Sequence, residues 1–301
     1  MEKIGQGICN GSFGEILQGF LPGNKKFLVN VKIRNASYVT VTVTSCQYSN
    51  EKEAQYAESY RNYSKSYKIV RNILADLGRH DDCYLEVHSD IPIGKGLSSS
   101  TADMIASVRG LSAAVSIAVK PDYVARMVTE IEPNDGLHYV GTSAYHHTMG
   151  ELIANFDYTP PLHILGIDLG GEVDTVQFNK IQLTWTEEEM EHYQNLLKEI
   201  QKTYGGRDLV RICQIATESA RLWQKVRYKP ELDRVLNVME DTEALGVLNT
   251  HSGTYLGLLY PDSRTDLDEL FTCVRNWFPD FDVRWFQTIT CSSGKENGIY
   301  G

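Results

Sequence analysis

Ile91-Pro92-Ile93-Gly94-Lys95-Gly96-Leu97-Ser98-Ser99-Ser100-Thr101-Ala102 is the stretch of this chain whose reading decides the rest. Two glycines, four hydroxyl residues and the start of a small-residue helix make a strand–loop–helix suited to phosphates. Glycine lets the backbone approach a ligand closely and turn its N–H groups inward, and a helix N-terminus adds unpaired donors with partial positive charge. Serine and threonine hydroxyls add hydrogen bonds, or one of them ligates Mg²⁺, while Lys95 can neutralise part of a polyphosphate. Neither of the two common phosphate loops is present. No register gives G-x-x-x-x-G-K-S/T, and Ser99 stands where G-x-G-x-x-G needs its third glycine. The same residues also suit a plain Gly/Ser connection with an ordinary Ser/Thr N-cap.

Upstream of this loop, Leu85 and Val87 alternate in a short strand that leads to Ser89-Asp90. Before that strand, Tyr56, Tyr60, Tyr63, Tyr67, Val70 and Leu74 recur at steps of three and four, which predicts a helix over about 53–77 that Gly78 ends. Val39, Val41 and Val43 alternate with Thr40, Thr42 and Thr44, the period of a half-buried strand within 27–45. Downstream, the spacing predicts a small-residue helix from about Ser100 and another over 121–130, with Pro121 in its first turn.

The second half reads as strand 162–169, a hairpin through Gly170-Gly171 toward Val173, Val176 and Phe178, and a capping box at Thr186–Glu189 opening a helix to Gln201. Helical patterns follow over 207–226 and 229–243. The last quarter reads strand 246–260, helix 265–278, strand 283–290 and strand 298–300. Such an order suits helices laid on a sheet, an α+β architecture.

Composition narrows the function classes. A chain of 301 residues implies roughly two domains or lobes. Its 29 Lys+Arg against 39 Asp+Glu give a net charge of −10, which argues against nucleic acid as a partner. The N-terminus lacks a basic stretch followed by an apolar run, and the least polar stretch, 104–119, is interrupted by Arg109. The six cysteines are scattered without a C-x-x-C pair and read as reduced thiols. A soluble cytoplasmic protein with no membrane partner is expected.

Glu130-Ile131-Glu132-Pro133-Asn134-Asp135-Gly136 is the second dense stretch. Phosphoryl transfer to an alcohol needs a metal at the β- and γ-phosphates and often a carboxylate beside the hydroxyl. Pro133 interrupts the helix, so Glu132 falls at its end and Asp135 in the turn beyond, where both can face one site. A solvated helix terminus with an Asn-Asp-Gly turn fits the same residues. By itself Asn10–Gly19 fits a β-turn between two strands, and 251–258 a hairpin with a buried histidine.

Taken together, these stretches resemble the three motifs of the GHMP kinases. Pro92-x-Gly94-x-Gly96-Leu97-x-Ser99-Ser100-x-Ala102 is similar to the second motif, Asn10-Gly11-Ser12-Phe13-Gly14-Glu15-Ile16-Leu17-Gln18-Gly19 to the first, and His251-Ser252-Gly253-Thr254-Tyr255-Leu256-Gly257-Leu258, more loosely, to the third. The resemblance implies a two-lobed α+β fold, with a ribosomal-protein-like N-terminal lobe over 1–160 that carries the ATP phosphate loop and a ferredoxin-like C-terminal lobe over 161–301. It implies ATP and Mg²⁺ as cofactors. Pro92, Gly94, Lys95, Gly96, Leu97, Ser98, Ser99, Ser100 and Thr101 would line the phosphates. Ser100 and Glu132 would hold the metal, with Glu130 competing for that role, and Asp135 would act on the acceptor hydroxyl.

Glu15, Gln18, His251, Ser252, Gly253 and Thr254 would lie by the acceptor. The Glu-Pro-x-Asp form, the opening Gly-Ser-x-Gly-Glu-x-x-Gln-Gly and the His-Ser-Gly-Thr turn are most similar to the L-threonine kinases of cobalamin assembly and propanediol utilisation. That implies a small hydroxy amino acid as acceptor, L-threonine or else L-serine or a related one. A non-catalytic nucleotide- or metabolite-binding sensor is the alternative from another class. Asn134 and Gly136 depart from the Thr and Ser expected at those positions.

Three features stay with packing or solvent. His147 and Glu151, four apart and next to His146, are two ligands and not a metal site. The tyrosine stripe suits an amphipathic helix packed on a sheet, and Glu187–Glu191 suit a helix N-terminus.

Overall fold

The computed structural model describes residues 2–45, 60–171 and 184–289. The expected hairpin beyond Gly171, the strand at 298–300 and Tyr56 lie outside the described residues. Among the described residues the four cysteines are free thiols, and no helix is long and apolar enough to cross a membrane.

Two long strands, β1 (Lys3–Leu21) and β2 (Lys25–Thr44), form an antiparallel hairpin whose register slips between Asn10 and Leu17. The expected β-turn within Asn10–Gly19 is instead this irregular stretch of a continuous strand. Val39, Val41 and Val43 are buried along one face of β2, and the threonines between them face less crowded surroundings, as the alternation predicts.

Next come α1 (Ser64–Asp76), β3 (Asp82–Ser89), α2 (Ser99–Val115), α3 (Pro121–Thr129) and the β4 (Ser143–His146) and β5 (Glu151–Asn155) hairpin. The second half holds β6 (Leu162–Asp168), α4 (Glu187–Gly206), α5 (Leu209–Leu222), α6 (Leu232–Asp241), β7 (Gly246–Asn249), β8 (Tyr255–Pro261), α7 (Leu267–Trp277) and β9 (Asp282–Gln287). The strand expected over 246–260 is therefore two strands, broken by a turn at 250–254.

Among the described residues all the strands join one nine-stranded antiparallel sheet in the order β5-β4-β2-β1-β7-β8-β6-β9, with β3 on the far half of β2. The sheet runs on past the 160/161 division expected from the sequence, which falls in the connection between β5 and β6.

Small residues set how closely helices approach this sheet. A Cβ on Gly7 would sit 2.1 Å from the Ala106 carbonyl oxygen and one on Gly5 2.2 Å from that of Gly110, so α2 lies backbone to backbone on β1. In the second half both faces of the sheet are covered. Leu162, Ile164, Tyr255 and Leu259 join the main core, whereas Leu165, Ile167, Leu256, Leu258 and Tyr260 pack with Val235 and Val238 of α6 and Val274 and Phe278 of α7. Burial on both faces explains why Tyr-Leu-Gly-Leu-Leu-Tyr shows no polar alternation. The Thr186–Glu189 capping box is formed in both directions.

Candidate active site

The loop of residues 91–98 carries the chain from β3 into α2, and its shape depends on left-handed backbone. Gly94 and Gly96 have φ of 72° and 77°, and Ser98, which lacks a glycine's freedom, is held at 61°. Gly96 meets the 250–254 turn directly: an added Cβ would fall 2.4 Å from the Gly253 Cα. The second and third sequence motifs thus touch through backbone, which requires glycine on both sides.

At the start of α2 the first internal bond is Ala102 N–H to the Ser98 carbonyl, 2.9 Å. The amides of Ser99, Ser100 and Thr101 precede the helical ladder, and the three residues line the cleft. Gly94, Gly96, Ser98, Ser99, Ser100 and Thr101 line that cleft together with Glu15, Glu132, Asp135, His147, His251 and Ser252.

Asp135 sits where the glycine–serine loop meets the floor of the cleft. Ser98 Oγ donates to its Oδ2, and Ser12 Oγ of β1 lies 2.5 Å from the same serine oxygen. Asn30 fixes the loop from below, donating to the Asp135 carbonyl at 2.7 Å. Asn134 caps the turn by accepting from Gly136 N–H at 3.1 Å, and Gly136 has φ of 67°, so these two residues together shape the turn that presents Asp135. Burial pushes the Asp135 carboxyl up to about 6; the charge of Glu132 adds to the rise and the Ser98 hydrogen bond opposes it.

Glu132, 8% exposed, accepts from Ser100 Oγ at 2.7 Å on one oxygen and from Lys65 Nζ at 2.5 Å on the other. Glu130 is exposed at the C-cap of α3 and does not line the cleft. Serine hydroxyl and carboxylate oxygens are the hard donors Mg²⁺ takes, and the ammonium already on Glu132 marks that carboxylate as facing positive charge, so the donor set fits the ion.

Deeper in the cleft, Glu15 of β1 is buried, and its carboxyl stands well above the ordinary range because of that burial and the nearby Asp135. Gln18 lies beneath it, donating to the Asn249 carbonyl at 2.9 Å and accepting from His251 Nδ1 at 2.7 Å. Lys229 ties the 250–254 turn, donating to Thr250 Oγ1 at 3.2 Å and the Tyr255 carbonyl at 2.8 Å, and burial holds its ammonium well below the usual range.

Several expected phosphate contacts lie elsewhere. Lys95 pairs with Asp168 at 2.8 Å and donates to the Gly171 carbonyl at 2.8 Å, and Thr254 donates to the same Asp168 at 2.5 Å. Leu97 is buried in the main core, and Pro92 lies outside the cleft lining. The sequence reading missed Lys65, which stands within the tyrosine stripe between Tyr63 and Tyr67, and set His147 aside. In the stripe, Tyr67 packs on the core while Tyr60 is 55% exposed.

A glycine–serine loop at a helix N-terminus, a serine hydroxyl on a buried carboxylate and a second carboxyl raised to about 6 line one cleft, an arrangement that suits phosphoryl transfer to an alcohol. Residues 63–142 match the GHMP kinases N terminal domain model. A homoserine kinase structure from Cytophaga hutchinsonii has the same fold, with a TM-score of 0.68, 14% identity and 96% of each chain covered. A second structure, of MDDEF in complex with MVAPP, AMPPCP and magnesium, gives 0.67 at 12% identity over 97% of this chain and 98% of that one.

The chain carries a segment of the GHMP kinase N-terminal domain type and is a phosphotransferase acting on a hydroxyl acceptor. Over most of its length it resembles two proteins named L-threonine kinase. That of Citrobacter freundii is 25% identical across 86% of this chain and 88% of its own. That of Salmonella typhimurium is 25% identical across 89% of this chain and 87% of its own.

Proposed function

We propose that the protein transfers the γ-phosphoryl group of ATP to the side-chain hydroxyl of L-threonine, giving O-phospho-L-threonine and ADP. The observation that carries this reading is the Ser98–Asp135 hydrogen bond, which joins the phosphate loop to a carboxyl raised to about 6. The choice of threonine is supported by the motif resemblance and by the two relatives of that name.

In this reading the amides of Ser99, Ser100 and Thr101 and the hydroxyls of the loop hold the triphosphate. Mg²⁺ held by Ser100 and Glu132 would neutralise charge on the β- and γ-phosphates. Asp135 accepts the hydroxyl proton as the acceptor oxygen bonds to the γ-phosphorus; the bond from that phosphorus to the β–γ bridging oxygen breaks and ADP leaves. A carboxyl with a pKa near 6 is ionised at pH 7 and still basic enough to help. General-base assistance of this kind contributes about 10²–10⁴-fold.

The test is ADP release with Mg·ATP against L-threonine, L-serine, L-homoserine and mevalonate, with the product located by phosphorus NMR. L-Threonine should give the highest kcat/KM and a phosphomonoester on its side-chain oxygen. Turnover favouring another acceptor would overturn the assignment of threonine, and ATP binding without any acceptor-dependent ADP release would overturn the catalytic reading.

A further inference from the structure

Two groups in the cleft are buried yet keep polar atoms without partners. Glu15 is 3% exposed with Oε2 unpaired, and His147 is 2% exposed with neither ring nitrogen hydrogen-bonded. Folded proteins pair more than about nine in ten buried polar groups, and an orphan bears the full cost of its desolvation. Glu15 enters from β1 and His147 from the turn after β4, and both line the same cleft as Asp135. Atoms kept unpaired at that cost, on separate elements and facing one cleft, are atoms a ligand completes.

Their surroundings state what the ligand brings. Glu15 is destabilised as an anion by burial and then by Asp135, so its partner must carry positive charge or a proton. His147 is pushed down to about 3 by burial and then by Lys26 and His146, so its ring is neutral and offers one N–H in a positive field. That favours an anionic acceptor of hydrogen bonds. The ring is also set in place: it lies edge-on to His251 at 4.8 Å, His251 is fixed by Gln18, and the His147 carbonyl accepts from Asn134 N–H at 3.1 Å.

We propose that His147 and Glu15 clamp the α-amino acid head of the acceptor, His147 donating to the α-carboxylate and Glu15 accepting from the α-ammonium, which leaves the side-chain hydroxyl to Asp135. This rests on the reaction in the preceding subsection and extends it by assigning the recognition of the head group. Such a clamp recognises a hydroxy amino acid at three points and rejects plain alcohols, amino alcohols and hydroxy acids.

The test pairs L-threonine with 1-amino-2-propanol, which lacks the carboxylate, and 3-hydroxybutanoate, which lacks the ammonium. Wild type should prefer threonine to each by at least about 10²-fold in kcat/KM, because each analogue leaves a buried group unpaired. His147→Ala should lower kcat/KM for threonine by about 10–100-fold and leave 1-amino-2-propanol within about threefold, since only threonine uses the lost donor. Glu15→Gln should lower threonine and 1-amino-2-propanol alike and spare 3-hydroxybutanoate. Where an analogue is not turned over, its inhibition constant against threonine carries the same comparison. ATP affinity by calorimetry, unchanged in each variant, reports a folded site.

Equal losses for threonine and 1-amino-2-propanol in His147→Ala, with ATP binding intact, would overturn the clamp and leave the kinase reading standing. If the alanine variant does not fold, His147→Gln, which keeps a donor, carries the test: its threonine loss should be smaller than tenfold, and equal larger losses on both acceptors would overturn the clamp. Absence of turnover with threonine, serine and homoserine in wild type would instead overturn the proposed function and the clamp with it.

Discussion

Asp135→Asn should raise the stability of the folded protein while lowering its turnover. In the folded chain, burial above all takes this carboxyl from its ordinary 3.8 to about 6. At about 1.4 kcal/mol per tenfold change, ionised Asp135 costs the native state roughly 3 kcal/mol. The native protein holds this proton more tightly than the unfolded chain. Below about pH 4 both states are protonated and the cost is absent; it grows through the window from 3.8 to about 6 and is complete above it.

Asparagine removes the charge while keeping an acceptor for Ser98 and the backbone carbonyl that Asn30 holds at 2.7 Å. Partial relaxation leaves an expected gain of about 1–3 kcal/mol at pH 7, read by urea denaturation, and a smaller gain at pH 5. Over the same comparison kcat should fall by about 10²–10⁴-fold with ATP affinity within a few-fold of wild type. In wild type, kcat/KM should decline as pH falls through about 6. A folded variant no more stable than wild type at pH 7, or a turnover loss below about tenfold, would refute the view of Asp135 as a desolvated base.

Gly96→Ala should cost about 1–2 kcal/mol for left-handed backbone and about 1–3 kcal/mol for the clash with Gly253, lowering the Tm and raising the KM for ATP; an unchanged KM would show the loop tolerates the shift. Phe13, fully buried, meets Tyr255 and Phe286 edge-on with ring centroids at 5.4 and 4.9 Å, so Phe13→Ala should lose about 3–5 kcal/mol in urea denaturation. Thr186→Ala removes the cap of α4 and should cost about 1 kcal/mol with kcat unchanged, whereas a kcat effect would tie this distant helix end to the cleft.

Much of the local structure was legible in the sequence. The valine–threonine alternation of β2 and the Thr186–Glu189 box are patterns that a few neighbouring residues complete. The break between β7 and β8 was not, since the 250–254 turn is shaped by Gly253 lying against the Lys95–Gly96 backbone. Lys95 beside a phosphate loop suggests a phosphate contact from its charge alone; in the fold its ammonium reaches Asp168 on β6. Asn134 and Gly136, departures from the motif, make a turn that accepts exactly their chemistry only once Asn30 and Ser143 are packed beneath it.

The sequence by itself determined most of the helices, the valine–threonine strand, the glycine–serine loop before α2 and the pool of carboxylates from which the candidate site is drawn, because these follow from periodicity, capping and glycine placement over short stretches. Tertiary structure decided which members of that pool act together. Ser100 meets Glu132 across 32 positions, Ser98 meets Asp135 across 37 and Lys65 meets Glu132 across 67. Those meetings depend on how α1, α2 and the loop after α3 pack on the sheet. The unpaired nitrogens of His147 and the unpaired oxygen of Glu15 depend on the same packing, since a polar atom becomes an orphan only after the rest of the chain has closed around it.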